Sequence, residues 1–343
     1  MSEKPKRGRG GFRIFLTFLV TAIVLAVAIA GAGLAGYAWF NNKIAENGPQ
    51  TPDNQPRIVV LERGSHLGRI ADTLEAEGAV TDARFFEWAV RIDGGENALK
   101  AGEYAFPSGA SINDLYRQIR EGRVLQHPVT IPEGWPSVMV ADIINEADVL
   151  SGDPVEPPAE GSILPETYMV QRGTDRAELL DKMRAAQDRL LADLWAARDP
   201  DLPFETQEEA IILASVVEKE TGIAAERPHV AGVFVNRLKR GMKLESDPTI
   251  IYGVTQGRPL GRGIRRSEID AVTDWNTYQI TGLPKTPIAN PGADAIRAVL
   301  NPPETDDLFF VADGTGGHVF ASSYRDHQRN VARWRQIERE RRR

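Results

Sequence analysis

From Ile14 to Phe40 the chain runs for 27 residues without a charge, IFLTFLVTAIVLAVAIAGAGLAGYAWF. A helix needs about 20 such residues to cross the hydrocarbon core of a bilayer, so residues 14–40 are predicted to form a transmembrane helix long enough to span with some tilt. Lys4, Lys6, Arg7, Arg9 and Arg13 stand before it against one acid, Glu3. By the positive-inside rule, residues 1–13 form a cytoplasmic tail and everything after Asn41 lies outside. Tyr37, Trp39 and Phe40 close the run as an interfacial aromatic belt would. The rival reading is a cleaved signal peptide, whose apolar region is about 7 to 15 residues long. The run here is far longer, which favours a retained anchor.

About 300 residues remain beyond the span, enough for one large or two ordinary domains with real cores. The chain has no cysteine, so neither disulfides nor a thiol nucleophile enter its chemistry. The formal charge of −7 argues against nucleic acid as a general partner. The six arginines between Arg333 and Arg343 alternate with Glu338 and Glu340 and read as a solvated helix end.

Residues 41–57, polar and carrying three prolines, read as a linker. A small α+β module is expected over 58–127. It starts with a strand at Ile58–Leu61, a turn and helix start at Gly64-Ser65, and a helix carrying Leu67, Ile70, Ala71 and Leu74. A helix from Asp82, a strand holding Tyr104 and Phe106, and a helix from Ser111 complete it. From 128 to 343 a larger α+β domain is expected. Val129–Pro132 reads as an edge strand and Ser137 as the cap of a helix to Ile144. A long amphipathic helix follows over Asp175–Arg198. Asp247-Pro248 reads as a sharp turn leading into a strand at Ile250–Tyr252, and Leu308–Ala312 as a buried strand returning through a hairpin at Asp313–Gly317.

One carboxylate in this domain has an unusual setting. Thr206 and Glu209 form a capping box, Gly222 offers a stop, and between them Ala210–Val217 holds a single polar residue, Ser215. Glu218 therefore falls in the last turn of a buried helix, where apolar surroundings and the negative end of the helix dipole both oppose its ionisation. A carboxylic acid that stays protonated near neutral pH is what a general acid must be. Most helix-end acids are simply solvated, and Glu220 is a second candidate about 200° around the helix. Glu218 stands over Ala214 and Ser215, small enough to admit a substrate, whereas Glu220 stands over Val216 and Val217.

The segments ASVVEKET, VFVNRL, GMKLESDPTIIYG, NTYQITGLP, PIANPG and FFVADGTGGHVF, in that order and spacing, resemble the YceG-like family of endolytic murein transglycosylases (MltG). The pieces GSHLGRIADTLEAEGAV and LKAGEYAFPSGASINDLYRQI resemble a LysM-like subdomain, a module that grips the N-acetylglucosamine backbone of cell-wall glycans. The resemblance implies an enzyme of the cytoplasmic (inner) membrane that cuts nascent peptidoglycan strands internally and terminates their elongation. It implies Glu218 as the catalytic residue, and Glu220, Asn236, Asp247, Thr249, Tyr252, Asn276 and Tyr278 as lining the glycan cleft. Glycan strands are the implied substrate and peptidoglycan synthases the candidate partners; no cofactor and no metal are expected. Lys285-Thr286, Trp275 and Glu245 depart from the family's usual residues, which bears on local loop contacts.

In that reaction one acid serves twice. Glu218 would protonate the oxygen between N-acetylmuramic acid and N-acetylglucosamine, then take the proton of the muramic acid C6 hydroxyl as it attacks C1, leaving a 1,6-anhydro end. Three alternatives stay open. A muramidase would pair Glu218 with a second acid such as Glu220 or Asp247, and a membrane-tethered scaffold would bind glycan without cutting it. A metal-dependent hydrolase is disfavoured, because the five histidines are scattered with no His-x-x-x-His pair.

Overall fold

The structure is a computed structural model and describes residues 9–341, so the first eight residues of the expected cytoplasmic tail lie outside it. The chain divides into two compact units, one ending at Leu125 and the other beginning at Gln126. The mixed helix and strand content agrees with the α+β expectation.

In the first unit, α1 (Arg9–Ala45) is a single helix of 37 residues, and its apolar stretch Ile14–Ala45 is long enough to cross a membrane. The helix continues five residues past Phe40, and Phe40 and Ile44 are buried against Ala89. The expected linker is thus shorter than its composition suggested, and it is docked. The Gly48 N–H donates to the Gly109 carbonyl, the Gly109 N–H to the Pro49 carbonyl and the Thr51 N–H to the Ser108 hydroxyl. The prolines tie an edge down here because their neighbours' amides find fixed partners.

Strand β1 (Arg57–Leu61) precedes helices α2 (Leu67–Ala76) and α3 (Ala83–Asp93), and β2 (Gly102–Phe106) then pairs antiparallel with β1, Val59 opposite Tyr104. Helix α4 (Ile112–Glu121) closes the unit. Alternation places Val59 and Leu61 inward and leaves Ile58 and Val60 exposed. The buried set is completed by Leu74, Phe86, Val90, Tyr104, Leu115 and Ile119. Asp82 and Ser111 cap α3 and α4 as expected, whereas α2 is capped by the imidazole of His66, which accepts the Arg69 N–H, and not at Ser65.

The second unit runs through β3 (His127–Thr130), α5 (Ser137–Glu146), β4 (Leu150–Ser151), β5 (Thr167–Val170), β6 (Thr174–Asp175), α6 (Arg176–Ala196), α7 (Gln207–Glu220), α8 (Arg227–Lys239), α9 (Asp247–Thr255), α10 (Arg266–Asp270), α11 (Ala293–Leu300), β7 (Phe309–Ala312), β8 (His318–Ala321) and α12 (Tyr324–Arg341). Its strands pair two by two: β3 with β5 and β7 with β8 antiparallel, β4 with β6 parallel. One core lies under β3 and β5, built on Val129, Ile144, Ile163, Tyr168 and Met183. The other surrounds α7, whose residues Ala210–Val217 are all buried, against Val230 and Phe234 of α8 and Ile296, Val299 and Leu300 of α11.

Five large aliphatic side chains within that run each gain about 1.5–3 kcal/mol from burial, which pins α7 in register and fixes where its last turn emerges. Its capping box is formed, the Thr206 hydroxyl accepting the Glu209 N–H at 3.2 Å and the Glu209 carboxylate accepting the Thr206 N–H at 3.0 Å. The helix ends at Glu220 with Thr221 already extended, one residue before Gly222.

Three expectations are corrected. Ile250–Tyr252 is helical, because Asp247 and Pro248 occupy the first turn of α9, where proline's missing N–H costs nothing; the β-branched pair Ile250-Ile251 misled. Ser137 is the first helical residue of α5 and Pro136 its cap, the Ser137 N–H being taken by the Glu160 carboxylate. Residues 309–312 of β7 are only half-buried, with Leu308 before them buried.

Candidate active site

Glu218 emerges from the apolar run of α7 with its side chain 5 % exposed. Two groups hold its carboxylate. Oε2 accepts the N–H of Gly292, the residue capping α11, at 3.0 Å, and Oε1 accepts from the guanidinium of Arg227 at 3.2 Å. Arg227, itself 8 % exposed, opens α8 immediately before Pro228, and it also faces Glu133 at 3.7 Å and Asp294 at 3.8 Å.

One guanidinium thus serves three carboxylates, with the Nζ of neighbouring Lys219 donating instead to the Gly134 carbonyl at 3.1 Å. Burial raises the Glu218 pKa above the ordinary carboxylate range. The Gly292 N–H and the Arg227 charge oppose that rise, Glu133 adds to it and Lys219 opposes it, and the net shift is upward.

The loop carrying Gly292 is itself fixed. The buried Asn290 donates through Nδ2 to the Trp135 carbonyl at 2.9 Å and to the Ser137 hydroxyl at 3.0 Å, and its Oδ1 accepts the Gly161 N–H at 3.0 Å. The Gly134 N–H returns a bond to the Asn290 carbonyl at 2.9 Å. Gly134 needs to be glycine twice over: its φ is +71°, and a Cβ there would sit 3.3 Å from Cγ of Glu218. Gly134 and Lys219 also line an open cleft of about 440 Å³ whose walls include Trp135, Met139, Ile251 and Tyr252. Glu218 is not itself on the wall of this groove, which is large enough for sugar rings; it lies directly behind Gly134 and next in sequence to Lys219, which do line it.

The other expected site residues fall into separate groups. Glu220 faces the start of α9, where the Ser246 hydroxyl donates to it. Asp247, beside Ser246, accepts the Tyr278 hydroxyl at 2.8 Å. Burial lifts Glu220 to about 7 against the Ser246 bond, with Asp247 adding to the rise, and burial raises the Tyr278 phenol.

Thr249 is fully buried, its hydroxyl donating to the Ser246 carbonyl at 2.6 Å. Asn276 is 1 % exposed and its amide donates to three backbone carbonyls, those of Ala271, Ile269 and Glu268. Both spend their polar atoms inside the protein. Tyr252 is on the cleft wall, 5.8 Å from the Trp275 ring. Asn236 is elsewhere: it donates to the carbonyls of Thr305 and Asp307 and lines a different cavity, with Asp199, Asp201 and Lys239.

Sequence reasoning missed Arg227, Glu133, Gly292 and Glu160. Glu160 comes from the loop before β5, accepts the Ser137 N–H at 3.0 Å, and is pushed by burial to about 7 against bonds from Ser137 and Tyr252. Tyr252 is in turn raised to about 12 by burial, with the Glu160 charge adding to it. The only available signals were the Arg227-Pro228 pair at a helix start and the Pro291-Gly292 turn.

Glu160 and Glu220 give a testable stability profile. Each has a folded pKa near 7, above the value of 4.5, so the stability they contribute is complete below pH 4.5 and lost as pH rises through 7. At pH 8 the two together withhold a few kcal/mol. The chain should melt at a lower temperature at pH 8 than at pH 5, and Glu160→Gln or Glu220→Gln should flatten that slope in thermal melts. Parallel slopes in wild type and both variants would show that neither acid is uncharged in the folded protein.

Comparison with known proteins gives consistent matches. The YceG-like family profile matches residues 59–333. A protein of Streptococcus pneumoniae (strain D39) named endolytic murein transglycosylase is 30% identical over 365 residues, covering 92% of this chain and 64% of that protein. One of the same name from Bacillus subtilis (strain 168) is 25% identical over 315 residues, covering 82% of this chain and 86% of that one. The chain therefore spans about two thirds of the length of the pneumococcal relative and most of the Bacillus one. A crystal structure of a yceG-like protein from Listeria monocytogenes aligns over 79% of this chain and 98% of that one, with 24% identity and a TM-score of 0.49.

Proposed function

The chain belongs to the YceG-like family, and from that premise we propose that it is an endolytic murein transglycosylase anchored in the cytoplasmic membrane, with Glu218 as its catalytic acid and base. The observation that carries this reading is a nearly buried carboxylate of raised pKa packed directly behind Gly134 on the wall of an open cleft.

With a glycan strand in the cleft, protonated Glu218 gives its proton to the glycosidic oxygen between N-acetylmuramic acid and N-acetylglucosamine, and the C1–O bond breaks. Gly292 N–H and Arg227 are already in place to receive the carboxylate as its charge develops. The C6 hydroxyl of the same muramic acid then attacks C1, and its proton returns to Glu218. The products are a 1,6-anhydro end and a free N-acetylglucosamine hydroxyl; no water is consumed and the enzyme is regenerated.

The sugar rings would stack along Tyr252, with Asp247, Tyr278 and Glu220 offering polar contacts around the first turn of α9. Thr249 and Asn276 would act from behind, holding the turns that present them, and Asn236 would hold the loop at Thr305. The positively charged tail would put the N-terminus in the cytoplasm and everything after Asn41 on the outer side, where the LysM-like part of the first unit would meet glycan. Cell-wall synthases working on the same strands are the candidate partners.

Glu133 gives a hydrolytic reading its own footing, since it shares Arg227 with Glu218 and is 45 % exposed, a position from which it could activate a water. The product decides. Mass spectrometry of purified peptidoglycan strands digested by the full chain is expected to show 1,6-anhydromuramic acid ends internal to the original strands. Reducing ends in their place would make the protein a muramidase, and intact strands would make it a scaffold.

A further inference from the structure

Helix α1 does not end where its strongly apolar run Ile14–Phe40 ends. It continues unbroken to Ala45 and buries Phe40 and Ile44 against α3. The contact is aromatic: Phe85 of α3 lies 6.1 Å from Trp39 and 6.4 Å from Phe40, and Trp88 lies 5.7 Å from Phe85 and 6.4 Å from Phe40, measured between ring centroids. One turn farther along α3, Ile92 is 59 % exposed, and Trp88 is 46 % exposed. Residues four apart share a helix face, so Trp88 and Ile92 form an apolar stripe that the unit itself leaves uncovered.

The level of this stripe follows from the helix it is fastened to. At about 1.5 Å per residue, Ile14–Phe40 is about 40 Å long, while a bilayer is about 30 Å thick in its hydrocarbon and about 40–45 Å with its headgroups. Trp39 and Phe40 therefore reach the outer headgroup region with the span in place. Phe85 and Trp88 are in ring contact with them and must lie at the same depth. A water-exposed tryptophan and isoleucine beside a transmembrane helix would be a cost, whereas tryptophan is favoured at the interface.

We propose that the exposed stripe of α3, Trp88 and Ile92, is a lipid-binding surface that seats the first unit on the bilayer beside its own anchor. The inference rests on α1 spanning the membrane, as does the anchoring in the functional reading, but it is independent of the reaction at Glu218. The lipid surface is the occupant because the stripe is continuous, ring to ring, with side chains of the span. The seat holds α3 against the headgroups and removes the freedom that a flexible linker after Phe40 would have given the unit.

The absence of native cysteine makes the test direct. Full chains carrying Trp88→Cys, Ile92→Cys or Leu25→Cys, each labelled with a nitroxide, are reconstituted into vesicles of phosphatidylethanolamine and phosphatidylglycerol. Accessibility to oxygen and to a water-soluble nickel chelate is then measured by electron paramagnetic resonance. Leu25 reports on the span. Trp88 and Ile92 labels are expected to favour oxygen over the chelate, at a depth of about 5–10 Å into the headgroup and acyl boundary. A lipid-buried Leu25 label with an Ile92 label as open to the chelate as in water would overturn the seat and leave the anchor standing. A Leu25 label open to the chelate would overturn both. Ile92 is 59 % exposed and is no part of the buried cluster of Phe40, Ile44 and Ala89, so its variant keeps the test meaningful even where Trp88→Cys loosens the aromatic contact.

Discussion

Glu218→Gln should lower the rate of glycan cleavage by roughly 10²- to 10⁴-fold, the range that removing a positioned general acid covers, while the protein keeps its fold. The amide retains the size of the carboxyl group and an oxygen that can accept from Gly292 or Arg227, but it has no proton to give at any working pH. Stability should be preserved because burial already favours the uncharged form of this side chain. At pH 8 the variant should melt no lower than wild type. The wild-type rate should fall as pH rises through the raised pKa of Glu218, since the acid must start protonated, and the residual rate of Glu218→Gln should lack that limb. Strand cleavage measured by product release across pH, with Glu220→Gln in parallel, checks both halves. Full activity in Glu218→Gln together with loss in Glu220→Gln would move the acid to the far side of α7.

What made Glu218 legible in sequence was local: a capping box at Thr206 and eight apolar-dominated residues fix a buried helix, and the acid falls at its end by counting. The groups that give the acid its surroundings are remote. Gly292 is 74 residues away, and Gly134, which packs against Glu218, is 84 residues before it; no periodicity connects such distances. The small unit's elements were readable because its strands and helices are short, capped and amphipathic. The first turn of α9 was not, since Asp-Pro followed by Ile-Ile satisfies the signals of a turn and strand as well as those of a helix start, and the choice was made by burial of Thr249 and Ile250. The linker failed for a related reason. Composition reports solubility along Asn41–Arg57, but it does not show that Phe40 and Ile44 face a waiting aromatic pocket.

Arg227→Ala should destabilise the protein by about 1–3 kcal/mol, the cost of leaving a buried carboxyl oxygen of Glu218 without its donor. Glu218 and Arg227 are both almost wholly shielded, so their 3.2 Å contact is not weakened by water. The pairings with Glu133 and Asp294 are longer and face solvent on the acidic side, 45 % and 62 % exposed, so they add little by themselves. Once the guanidinium is gone, three carboxylates remain at one site. The cheapest relief is protonation of the most buried of them, Glu218.

Its pKa, raised even with Arg227 present, should rise further, so the alkaline limb of the cleavage profile should move to higher pH while the rate of the folded fraction falls for want of charge to receive the developing carboxylate. Arg227→Lys keeps the charge but not the fork that spans Glu218, Glu133 and Asp294, and should recover most of the stability with only part of the rate. Thermal melts and pH profiles of the two variants separate the roles. A stability loss with an unmoved alkaline limb would make Arg227 a structural clasp with no hold on the acid's proton.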